Sequence, residues 1–253
     1  MDQERFSEIC LRQRESIRER SGIGTLGEKT LHAVLKDYFE EDRNFQEVKI
    51  GKYYADIAKN RNIFEIQTRD LYRLYDKIST FIVENHVTVV YPIAVSKRIF
   101  WMEPSTGECI SNRKSNKKRS ELDVLSELYG LRDFLLHENF RVCVMLLEVN
   151  EYRAQDGYGK DKKKRATKLD SVPIALKDEF YLEKQEDYLR FLPKALPEIF
   201  TSSEFSLAAN CKLFVAHRAL NILTKIGLLH IIGKDGRKNK YEIIDFSEKF
   251  THL

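Results

Sequence analysis

The chain opens on an amphipathic pattern in which Phe6, Ile9, Cys10 and Ile17 form a thin apolar stripe among charges, predicting a helix over residues 2–20. Ser21-Gly22-Ile23-Gly24 breaks it. A second stripe, Leu31, Leu35, Tyr38 and Phe39, predicts a helix from about Thr25 to Glu40. The period then drops toward two, with short strands expected at 45–50, 52–59 and 62–68. A helix over 70–85 leads into a long apolar β segment from Val87 and a hairpin-like return over Arg98 to Glu103. A helix near 121–138 and a strong strand from Phe140 to Val149 follow. The order α-β-β-β-α-β predicts an α/β fold, a mixed sheet flanked by helices. From about Glu186 the pattern changes to short helices and a small hairpin, so two domains are expected, 1–185 and 186–253.

Composition adds little to this picture, but charge and cysteine placement do. With 42% apolar and 11% aromatic residues in 253, the chain can bury a proper core, and Trp101 reads as part of it. The formal net charge is only +4, yet the cations cluster. One predicted loop carries Arg113, Lys114, Lys117, Lys118 and Arg119, and another carries Lys160, Lys162, Lys163, Lys164, Arg165 and Lys168. Such runs suit solvent or a phosphate backbone. Cys10, Cys109, Cys143 and Cys211 are scattered, which argues against a disulfide framework or a structural zinc and for a reducing compartment. No secretory core follows Met1-Asp2-Gln3-Glu4-Arg5, and the longest apolar run, Val87 to Val95, is too short to span a bilayer. The expectation is a soluble, cytoplasmic protein with no membrane role.

The candidate chemistry lies in Tyr53 to Gln67. A two-residue loop at Asn60-Arg61 pairs Lys59 with Asn62 and sets Asp56 directly opposite Glu65. Directly opposed residues share a face with Cβ atoms about 4.5–5.5 Å apart. Gln67 falls on the same face. Two adjacent carboxylates repel unless a cation lies between them, and hard oxygen donors on rigid strands suit Mg²⁺. Glu28 falls within about 20° of Leu35 on the preceding helix, at the centre of its apolar stripe, and His32 shares that face. A carboxylate there needs a partner or a metal.

A helix glutamate (Glu28), a strand aspartate (Asp56) and E-x-Q on the next strand (Glu65-Ile66-Gln67), in an αβββαβ order, resemble the PD-(D/E)XK nuclease superfamily over roughly residues 24–100. The resemblance implies a restriction-endonuclease-like core with a mixed sheet. It implies Asp56, Glu65 and the Ile66 carbonyl as metal ligands and Glu28 as an outer ligand, with Mg²⁺ as cofactor and Mn²⁺ as a substitute. Gln67 would stand beside the attacking water, where the family usually has lysine. Glutamine cannot act as a base, but it can orient water by hydrogen bonding. Ala55 stands where the motif has proline.

Residues 197–244 predict a winged helix-turn-helix domain. Pro197 to Phe200 would end a first helix, and Thr201-Ser202-Ser203-Glu204 would cap a second. A third, Lys212 to Ile226, has Val215, Ala219, Ile222, Leu223 and Ile226 as its core and stops at Gly227. Leu228 to Ile232 and Tyr241 to Ile244 would form a hairpin whose basic tip spans Gly233 to Lys240. Candidate DNA contacts are Lys212, His217, Arg218, Asn221 and Lys225 on the third helix, and Lys234, Arg237, Lys238 and Lys240 in the wing. His86, His137 and His230 show no ligand spacing. These features together predict a Mg²⁺-dependent DNA endonuclease placed on DNA by its wing, with a homodimer compatible. The alternatives are a non-catalytic DNA-binding regulator with a degenerate nuclease fold, favoured by Gln67, and a protein-interaction module.

Overall fold

The computed structural model describes residues 2–19, 30–117, 119–157 and 166–244. In chain order the elements are α1 (Gln3–Glu19), α2 (Thr30–Phe39), β1 (Gln46–Ile50), β2 (Tyr53–Lys59), β3 (Asn62–Ile66) and α3 (Tyr75–Phe81). They continue as β4 (His86–Met102), β5 (Cys109–Lys114), α4 (Asp123–Leu128), β6 (Phe140–Ala154) and β7 (Thr167–Leu182). The last are β8 (Ile199–Thr201), α5 (Ser202–Ala208), α6 (Leu213–Lys225), β9 (Leu229–Asp235) and β10 (Lys238–Ile243). The protein is mixed α/β. A seven-stranded mixed sheet runs β1-β2-β3-β4-β6-β7, with β5 also on β4, and a three-stranded sheet runs β8-β10-β9.

The chain divides into two compact units. The first comprises residues 1–68, 89–120 and 143–180; the second comprises 69–88, 121–142 and 181–253. The expected boundary at 185/186 therefore lies inside the second unit, which also takes up two earlier segments.

In the first unit the apolar stripe of α1 buries Phe6, Ile9 and Cys10. The amide and hydroxyl of Thr30 both donate to Asp170 of β7, so a residue distant in sequence satisfies the first turn of α2. Val34 and Leu35 of α2 are fully buried. Tyr38 donates to Glu179 at 2.7 Å. Burial first, then the Glu179 carboxylate, pushes its phenol up to about 12.

In the second unit Ala216, Ala219, Leu220, Ile222, Leu223 and Ile226 form the buried face of α6. Val215, expected in that core, is only half-buried, because the stripe is centred one residue later on Ala216. Ile199–Thr201 is strand rather than the end of a helix, since Phe200 and Thr201 pair with Tyr241 and Lys240 of β10. Near 121–138 only Asp123–Leu128 is α-helical. The return strand after β4 is Cys109–Lys114, and Arg98 to Met102 belongs to β4 itself.

Candidate functional site

Both residues of the β2–β3 turn, Asn60 and Arg61, have positive φ, 50° and 64°. That is the type I′ conformation whose twist matches the flanking strands. Lys59 pairs with Asn62, Ala58 with Ile63 and Ile57 with Phe64. Ala55 and Ile57 are buried on one face, and Ile63 and Glu65 on the other. α2 holds the hairpin from its C-terminal end. Phe39 stacks on Phe64 at 5.1 Å, and Lys59 reaches Glu40 at 2.6 Å while lying over the Phe45 ring. The Lys59 hydrogen bond, with a second from the Asp42 amide, holds the Glu40 carboxyl below the usual carboxylate range.

One step beyond Ile57 and Phe64 the register sets Asp56 opposite Glu65, and there side chains replace the backbone ladder. The Asp56 amide donates to Glu65 Oε1 at 3.4 Å, and the Ile66 amide donates to Asp56 Oδ2 at 2.7 Å. Each acid thus accepts from the other's strand. Glu65 is only 2% exposed, so a carboxylate occupies a core position. His32 of α2 adds a contact: its Nε2 lies 3.3 Å from Asp56 Oδ2. Gln67 follows at the end of β3, half-buried, and its backbone N–H donates to the Val90 carbonyl of β4.

The structure thus brings together Asp56, Glu65, Ile66 and His32, with Gln67 next in line. Ile66 enters through its N–H, which donates to Asp56. Glu28 lies outside the described residues, as do Lys118 and Lys160 to Arg165. His32 is the partner to which sequence reasoning gave no role. Its signal was a place on the apolar face that the sequence pattern predicts for this helix. Among the described residues no cluster of three or more His, Cys, Asp or Glu is arranged to hold a metal ion. The donors present, two carboxylates on adjacent strands, fit an ion such as Mg²⁺ that keeps several waters and takes one or two carboxylates from protein.

The C-terminal candidates separate into three groups. Lys212, His217, Asn221 and Lys225 of α6 are exposed, although His217 lies 3.0 Å from the Ser202 hydroxyl and Lys225 lies 3.7 Å from Asp133. Arg218, another of the candidates, is half-buried. Its guanidinium donates to the Ser126 carbonyl at 2.9 Å and lies over the Tyr129 and Phe214 rings, which makes it a packing residue of α6 against α4. In the hairpin, Asp235 pairs with Lys238, so the turn is only Gly236-Arg237, with Gly236 at φ +59°. The expected eight-residue tip is mostly strand. Lys234, Arg237 and Lys238 are exposed, and Lys240 is half-buried where it pairs with Thr201.

The fold and the site define the class first: an α/β protein whose large mixed sheet carries a crossed pair of acids on neighbouring strands. The chain belongs to the family described as Domain of unknown function (DUF8091), which matches residues 29–183. It is also 28% identical over 224 residues to an "Uncharacterized protein" of Treponema pallidum (strain Nichols), covering 87% of this chain and 86% of that relative. That similarity extends well beyond the family segment. No solved structure matches the chain.

Proposed function

We propose that this protein is a metal-dependent DNA endonuclease whose acids stand on β2 and β3 and whose C-terminal segment engages DNA. The observation that carries the reading is the crossed Asp56–Glu65 pair, a buried carboxylate beside a second one on the neighbouring strand. Two opposed acids repel across a hairpin, and a cation shared between them turns that repulsion into binding. When bound, Mg²⁺ supplies a Lewis acid that polarises a scissile phosphate and acidifies water. Asp56 and Glu65 would hold it, with their orientation fixed by the Ile66 and Asp56 amides. Gln67 would orient water through its amide without accepting a proton as a base. β8, α5, α6 and the β9–β10 hairpin follow the order of a winged helix-turn-helix, and the exposed Lys234, Arg237 and Lys238 suit phosphate contact.

The test is nicking or linearisation of supercoiled plasmid with Mg²⁺ or Mn²⁺ by the parent chain and by Glu65→Gln. Cleavage by the parent alone supports the reading; equal cleavage by both removes the acids from it. A second reading, a non-catalytic DNA-binding regulator, is favoured by Gln67 and by the engagement of Asp56 Oδ2 with a backbone amide and His32, which also suits a structural role. DNA binding without cleavage under any divalent cation would select it.

A further inference from the structure

Across β5, β4, β6 and β7 the first unit carries a set of charges unrelated to the acid pair. Glu151 of β6 is 4% exposed. Lys97 of β4 reaches it at 2.8 Å, Arg153 of β6 donates to it through Nε at 2.6 Å, and Lys168 of β7 lies 4.0 Å away. Burial opposes ionisation of Glu151, but the hydrogen bonds and charges of Lys97 and Arg153 outweigh it and hold the carboxyl below its usual range. One carboxylate thus faces three cations. Register adds a fourth cation. Arg113 of β5 is paired with Ile99, and the Ser115 amide donates to the Lys97 carbonyl, so Arg113 lies on the face that carries Lys97. Trp101, expected in the core, is half-buried on this face with the Arg153 guanidinium 5.8 Å from its ring centre.

We infer that this face is a second contact surface for DNA, a strip that follows the phosphate backbone. Arg113, Lys97, Arg153 and Lys168 occupy four neighbouring strands, so the strip spans about 14 Å at roughly 4.8 Å per strand. That is the axial rise of about four nucleotides of one strand. The Glu151 carboxylate fixes Lys97 and Arg153, so their remaining donors are already ordered when a phosphate arrives. The opposite face of β4 and β5 also carries cations, with Arg98 opposite Lys114, but there Arg98 donates to the neutral Asn112 side chain and Phe100 stacks on Tyr152.

This inference rests on the DNA-binding reading above, and its test separates the two. Arg113→Ala/Lys168→Ala removes two exposed cations and leaves the buried Glu151–Lys97–Arg153 group intact. Binding of a fluorescein-labelled DNA duplex, followed by anisotropy across a salt series, should weaken, and the slope of log K against log salt should flatten by about two units. Arg237→Ala/Lys238→Ala serves as the second arm. If the wing variant weakens binding while the strip variant binds as the parent does at every salt, the strip is overturned and the DNA reading stands. If the parent binds no duplex even at low salt, both fall. If the strip variant keeps its DNA affinity but no longer binds polyglutamate, the surface serves acidic proteins and the inference is wrong. A circular-dichroism melt unchanged from the parent shows that the variant is folded.

Discussion

Asp56 has two duties that substitution can separate. Its Oδ2 accepts the Ile66 amide and faces His32, and its charge is what the proposed metal would use. Asp56→Asn keeps an acceptor for the amide and removes the charge, so it should abolish cleavage and unfold in urea close to the parent. Asp56→Ala should abolish cleavage and also lower stability by about 1–3 kcal/mol, since a buried amide is left without its acceptor. DNA affinity should survive both changes. An Asn variant that cuts plasmid as the parent does would remove the aspartate from the chemistry. Glu151 is a contrasting acid, held ionised by cations already present. Its folded-state value lies below the unfolded one, so its stabilisation is present above the ordinary carboxylate value near about 4.3 and is lost as pH falls through the folded value. The urea midpoint gap between the parent and Glu151→Gln should accordingly be wide at neutral pH and close in strong acid. A gap independent of pH would contradict the charge-based account.

At the scale of elements, the β2–β3 hairpin was legible because two local rules agree. Alternation set the strands, and a two-residue turn set the register that opposes Asp56 and Glu65. The turn itself is imperfect: Arg61 occupies φ 64°, where a side chain is strained. Arg61→Gly should stabilise the protein by about 1 kcal/mol, seen as a higher melting temperature, without altering cleavage. A lower melting temperature would mean that side-chain contacts of Arg61 outweigh the turn strain. The converse case is Gly130, where an added Cβ would lie 2.9 Å from the Tyr72 Cα. Gly130→Ala should therefore cost about 1–3 kcal/mol by overpacking. Elements defined by distant partners escaped sequence reading. β7 contains Pro173, which argues against a strand, yet it is the last strand in the sheet order, where a missing N–H is tolerated. β8 is strand only because β10 lies beside it. The cations around Glu151 come from three strands, and no spacing within any one of them announces the cluster.

At the scale of the whole molecule the question is how the proposed contact with a polyanion fits a net charge of only +4. Clustering answers it better than total charge does. The β9–β10 hairpin places Lys234, Arg237 and Lys238 in solvent around a two-residue turn, and none of them has to be desolvated by protein. Phosphate contacts of that kind release counterions and read no sequence. Arg237→Ala/Lys238→Ala should thus weaken binding by a similar factor on duplexes of unrelated sequence. It should also flatten the log–log salt slope by about 0.9 for each phosphate the wing ceases to neutralise. The turn conformation depends on Gly236, which neither substitution changes, so the hairpin should persist and the melting temperature should hold. A weakening confined to one duplex sequence would instead make the wing a base reader. Unchanged affinity at every salt concentration would mean that it does not touch DNA, and the exposed face of α6 would then have to carry the C-terminal contact.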